Sequence, residues 1–257
     1  MSFLLTNLLG LLAFLLAMIV LYLVGRKLAD VFRRADDDKA TSAAETAVFS
    51  MLGLLLGFTF FGAAGRFEDR RHLVTQEAND IGTAWLRLDM LPAEAQPALR
   101  QLFRDYTSAR LASFHDVEDL QATAAAVDQA GKLQGQIWQA AVLAVRSPDA
   151  PPQAAVLVLP ALNAMIDITS TRATATRNHP PQVVYYMLAC FGLIASLMTG
   201  YNTRTKGLQA WFNISLFAVI VAITLTVILD LEYPRRGLIR VDSIDQVLLD
   251  VRSAMDR

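Results

Sequence analysis

Four stretches of this chain carry apolar side chains at almost every position: Phe3 to Val24, Ala47 to Gly65, Val183 to Thr199 and Trp211 to Leu229. About 20 helical residues at roughly 1.5 Å rise span the hydrocarbon core of a bilayer, so each stretch predicts a transmembrane helix. The last has no ionisable side chain at all, and the first is broken only by Thr6 and Asn7. That first run lacks both a basic leading segment and a small-residue cleavage site, so it is expected to remain as a span rather than be removed as a signal peptide. The second carries Gly53, Gly57, Gly62 and Gly65, small residues that let helices approach closely. Only the turn around Asn202 to Gly207 separates the third from the fourth, which predicts a tight hairpin.

Between the second and third runs the pattern changes to helical amphipathicity. Breaks at Leu91-Pro92, His115-Asp116 and Ser147 through Pro152 divide this segment into four helices, Arg66 to Met90, Ala93 to Phe114, Asp116 to Val145 and Gln153 to Arg177. No proline separates Gly65 from Met90, so the second span is expected to run straight on into the first of these helices. There Val74, Ala78, Ile81, Trp85 and Leu88 form an apolar stripe suited to a bundle core. Pro180-Pro181 then breaks the chain just before the third span. The expected fold is all-α: a polytopic membrane protein with four transmembrane helices and an extramembrane antiparallel helical bundle inserted between the second and third. Its divisions are 1–65 (two spans and a basic loop), 66–182 (the bundle) and 183–257 (two spans and a short charged tail).

Composition sharpens this picture. With 54% hydrophobic residues, a mean hydropathy of +0.37 and a net charge of −1, the 257 residues are too apolar for a soluble protein and too charged for spans alone. The basic residues form no stripe that would mark a nucleic-acid partner. Cys190 is the lone cysteine, and His72, His115 and His179 fall in no metal-binding spacing, so neither a metal nor a cofactor is expected. No nucleophile elbow, phosphate loop or dinucleotide turn is present, and no catalytic residue is assigned. Counting basic residues in the short loops (Arg26, Lys27, Arg33, Arg34, Lys39, Arg204, Lys206) puts those loops inside and the bundle outside; counting every basic residue near a boundary nearly erases the bias.

Three constellations are candidates for function. Leu54, Phe58 and Phe61 lie on one face of the second span at spacings of four and three, and Arg66, Arg70 and Arg71 follow. Repeated around an oligomer axis, they would make an apolar constriction followed by a basic, anion-attracting mouth. The same phenylalanines can face lipid, and the same arginines can anchor at headgroups. A polar helix-face cluster comprises Glu77, Asp80, Thr83 and Arg87 on the first bundle helix and Asn163 and Asp167 on the fourth, with Arg87 and Asp167 a candidate pair; helix-register contacts would explain it equally well. The third is the charged hook after the last span, Asp230, Glu232, Pro234, Arg235, Arg236 and Gly237, whose plainest role is a stop signal with interfacial anchors.

The pattern Gly57-Phe58, Arg66-Phe67-x-x-Arg70-Arg71, Glu77-Ala78-Asn79-x-Ile81-Gly82-Thr83-Ala84-x-Leu86-Arg87 and Leu91-Pro92 resembles the bacterial bestrophin-like membrane family. Leu162-Asn163-x-Met165-Ile166-Asp167 with Arg172, and Asp230-Leu231-Glu232-x-Pro234-Arg235-Arg236-Gly237, are similar to its later motifs, with Glu232 in place of a second aspartate. The resemblance covers nearly the whole chain. It implies kinship with pentameric anion channels that carry a phenylalanine-rich neck on the second span, and with it a homo-oligomer in the bacterial cytoplasmic (inner) membrane that passes inorganic anions. The chain departs from bestrophins in having no Asn between neck and arginine and no acidic calcium-clasp run. A reading of another class is a membrane sensor or scaffold whose helical domain binds a ligand or partner protein.

Overall fold

The computed structural model describes residues 3–32, 38–115, 120–203, 207–233 and 242–256, leaving aside the side chains of residues 3–7, 38–40, 114–115, 120 and 242–245. Among the described residues the elements are eight α-helices, α1 (Phe3–Phe32), α2 (Asp38–Arg87), α3 (Gln96–His115), α4 (Leu120–Val145), α5 (Ala154–Arg177), α6 (Gln182–Asn202), α7 (Leu208–Glu232) and α8 (Asp242–Ala254), with a 3-10 turn at Leu88–Met90 after α2. There is no strand among the described residues. Four helices are long and apolar enough to cross a membrane, and backbone groups in lipid must be satisfied within each span, which a helix does by itself. The protein is therefore an all-α, multi-pass membrane protein. The second span and the first bundle helix are one element, α2, of 50 residues.

The chain divides into two compact units. The first, Met1–Phe67 with His179–Ile239, contains the membrane helices. There α1 and α6 lie side by side in parallel: Gly192 faces the Phe14 ring and Gly200 presses on the backbone of Tyr22, so residue numbers rise together along both. With little hydrophobic drive between helices in lipid, close backbone approach at small residues supplies the attraction. Gly192, Ser196 and Gly200 are buried at four-residue spacing on α6, and Gly25 provides the reciprocal contact from α1, against the Leu197 carbonyl. Met18, Leu52, Ala195, Ala218 and Val221 pack together as one core cluster, while Ala63, Ile228 and Leu231 form another. The hairpin between α6 and α7 turns at Gly207, whose φ of 76° suits a residue without a Cβ.

The second unit, Glu68–Asn178 with Arg240–Arg257, is a helical bundle. Val74, Ala78 and Ile81 of α2, and Leu88 just after it, are buried in its core with Phe103, Tyr106, Ile137, Leu162 and Met165, so the apolar stripe is core apart from the half-buried Trp85. Arg100 lies over the Trp85 ring, 4.6 Å from its centroid. The tail, assigned by sequence to the last two spans, instead forms α8 and packs against α3. Leu248 and Met255 enter the bundle core, and Arg104 donates to the Met255 carbonyl at 2.9 and 3.1 Å. A three-turn helix with one apolar face becomes stable only by such packing.

A Cβ added at Gly200 would sit 2.0 Å from the Tyr22 carbonyl oxygen, and one at Gly25 would sit 2.1 Å from that of Leu197, whereas one at Gly10 meets nothing within 4 Å. Gly200→Ala and Gly25→Ala are each expected to cost about 3 kcal/mol or more by forcing two helix backbones apart. Gly10→Ala is expected to be near neutral, with thermal unfolding of the detergent-purified protein as the readout.

Candidate functional site

The span portion of α2 has two unlike faces. Leu54, Phe58 and Phe61 are 55%, 67% and 74% exposed, while Leu52, Thr59 and Ala63 on the opposite side are buried within the first unit. The Thr59 hydroxyl donates to the Leu55 carbonyl at 2.7 Å, so its inward position leaves no orphaned polar atom. A Cβ added at Gly53 or Gly57 would meet nothing within 4 Å among the described residues.

Arg66 leaves the helix on the inner side, one turn after Ala63. Its guanidinium lies back over Gly62, where a Cβ would stand 3.2 Å from Nη1. This follows the lean of helical side chains toward the N-terminus. Its Nε donates to Glu232 Oε1 at 2.8 Å, and Nη2 donates to the same oxygen. The Glu232 side chain is fully buried, and its other oxygen lies 3.2 Å from Nδ1 of His179, whose ring stacks on Tyr233 at 4.7 Å. Burial of a carboxylate requires such partners, and these come from the end of the span, the segment before α6 and the end of α7.

The other two predicted mouth residues lie in the second unit and are also engaged. Arg70 donates to the carbonyls of Ala175 and Asn178 at 3.2 and 3.0 Å, covering oxygens left open where α5 ends. Arg71 pairs with Glu68 at 3.0 Å on the surface. Of the terminal motif, Asp230 and Glu232 close α7; Pro234, Arg235, Arg236 and Gly237 lie outside the described residues.

The polar centre of the second unit is an ion triad. Arg110 Nε donates to Glu77 Oε1 at 2.6 Å and its Nη2 to Oε2 at 3.2 Å, while Arg172 Nη1 donates to Oε2 from α5. All three residues are buried. Beside them Gln134 donates to the Tyr106 hydroxyl at 3.2 Å and to Thr169 Oγ1 at 3.4 Å, so a second set of bonds ties α4 to α3 and α5. Burial, and next the Glu77 charge, push the Tyr106 hydroxyl up to about 12. Burial pulls the Arg110 pKa down, but the hydrogen bond and charge of Glu77 outweigh it and the net direction is up.

Of the six predicted helix-face residues, Glu77 alone enters this triad. Asp80 is half-buried, and Thr83, Asn163 and Asp167 are exposed. Arg87 does not reach Asp167; it donates to the Leu157 carbonyl at 2.7 Å, one turn before Pro160 interrupts the α5 hydrogen-bond ladder. Arg110 was not singled out by the sequence reading, and Arg172 only as part of a motif. A usable signal was present, because Leu99, Phe103, Tyr106 and Arg110 share one helical stripe, and Val158, Met165, Ile168 and Arg172 another. A charge on an apolar stripe calls for a buried counter-charge.

These features define a class, the multi-pass helical membrane protein whose second span continues into an extramembrane bundle. The chain belongs to the Bestrophin-like domain family, whose profile matches residues 11–244. Its fold is similar to that of a bacterial bestrophin homologue from Klebsiella pneumoniae, in crystal structures of two mutants. One has a TM-score of 0.73 at 12% identity, over 96% of this chain and 98% of that one; the other has 0.63 at 14%, over 95% and 99%. A crystal structure of a membrane protein matches at a TM-score of 0.65 and 14% identity, over 96% and 98%. At such identities the likeness is one of fold. No curated protein matches the chain in sequence.

Glu77→Gln is expected to destabilise the protein by about 3–5 kcal/mol, since it leaves the buried Arg110 and Arg172 guanidinium groups without their counter-charge. The difference is read from denaturant or thermal unfolding. The raised Tyr106 pKa gives a stability contribution that is full below its ordinary value of 10.0 and is lost as pH rises toward about 12. Tyr106→Phe should therefore melt less steeply in that alkaline window than the unsubstituted protein.

Proposed function

We propose that the protein is an oligomeric ion channel of the bacterial cytoplasmic membrane, conducting anions along an axis lined by the second span. Leu54, Phe58 and Phe61 form its constriction, and the basic segment of Arg66, Arg70 and Arg71 biases the adjoining mouth toward anions, with the contribution of Arg66 offset by its pairing with Glu232. The observation that carries this reading is the two-faced α2. The inner face is consumed by the chain's own helices, and the outer face offers three large apolar side chains in line. A ring of such side chains narrows and dries a pore, so ions cross only when the ring widens or wets. Membership in the Bestrophin-like family supports a closed ring of copies, the pentamer being the number that kinship with bestrophins implies. A closed ring needs the same surface on every copy to meet its neighbour, which the exposed face of α2 can provide.

Halide efflux from proteoliposomes tests the reading against empty vesicles and against potassium flux. Phe58→Ala and Phe61→Ala are each expected to raise halide flux several-fold by opening the apolar ring. Unaltered flux in both variants would remove the constriction assignment, and the absence of flux from every preparation would remove the channel.

A further inference from the structure

Resting on the channel reading above, we infer that Glu232 sets the charge of the mouth by holding Arg66 as a neutralised pair against the membrane helices. The sequence places Arg66 first among the basic residues after the constriction, and its charge would count in full if the side chain were free. The structure turns it the other way. Arg66 follows the buried face of Ala63 and Thr59, while Leu54, Phe58 and Phe61 occupy the open face. Two of its N–H groups meet one oxygen of a carboxylate with no solvent exposure, and Gly62 leaves room for the guanidinium to fold back. His179 takes the second oxygen, backed by the Tyr233 ring, so Glu232 is fixed from a second side and does not depend on Arg66 for its placement.

The electrostatic consequence follows from distance. An ion passing several ångströms away sees a contact pair as a dipole, and a dipole's potential falls faster than that of a charge within the Debye length of about 10 Å. Each copy of the chain thus presents one positive charge fewer than a count of arginines implies. Glu232 is in this sense a selectivity-determining residue that acts through Arg66 and touches no ion itself.

A charge cycle tests this. Reversal potentials are measured in planar bilayers under a KCl gradient for the unsubstituted channel, Glu232→Gln, Arg66→Gln and the double variant. Glu232→Gln is expected to move the potential toward the chloride equilibrium value, Arg66→Gln toward the potassium value, and the double variant back to the unsubstituted value. A pair with a structural role alone would leave the potential in place or move both single variants in the same direction, and either result overturns the inference. Should Glu232→Gln fail to assemble, Glu232→Asp keeps the charge with a shorter reach; a smaller shift toward chloride supports the inference and no shift overturns it. Absence of current in the unsubstituted protein is a separate outcome that removes the channel reading and this inference with it.

Discussion

The rest of the structure depends on the continuity of α2, a single helix of 50 residues. Within lipid a chain must close its own backbone hydrogen bonds, and α2 meets that demand by crossing as helix and continuing as helix. One element thereby contributes Leu52, Thr59 and Ala63 to the packing of the membrane unit and Val74, Ala78, Ile81 and Ala84 to the core of the bundle. A proline between Gly65 and Met90 would remove a ladder bond and separate those two sets of contacts.

Charge is handled alike in the two units. In each, a fully buried glutamate is met by arginine from another helix: Glu232 by Arg66, with His179 alongside, and Glu77 by Arg110 and Arg172. A buried ion pair adds little stability compared with apolar packing, but losing one partner is costly because a bare charge remains. Such pairs resist register slips in helices whose apolar surfaces tolerate sliding. The Arg110 and Arg172 pair also leaves the triad with more positive than negative charge, which keeps the Glu77 carboxylate ionised within the bundle.

The helices were legible because their signals are local. Apolar run length marked the four spans, prolines marked the ends of α2 and α5, and the apolar stripe from Val74 to Leu88 marked a core face. The helix α8 was missed because it is short and its stability comes from the α3 surface it covers. The partner of Arg87 was misread for a related reason. Asp167 has the complementary charge and a plausible spacing, but the Leu157 carbonyl in the early turns of α5 lies within reach of Arg87.

The sequence alone determined the class of the protein: the number of spans, the helical insertion, the family motifs and the residues present at the end of the second span. Hydrophobic run length and helical period are properties of neighbours in the chain, and neighbours are what a sequence records. The pairing of charges was decided by tertiary structure. Arg66 and Glu232 are 166 residues apart and Glu77 and Arg172 are 95 apart, and only helix packing brings each pair within hydrogen-bonding distance. An arginine has the same letter whether it faces an open mouth or lies against a buried carboxylate, and the fold alone chooses between them.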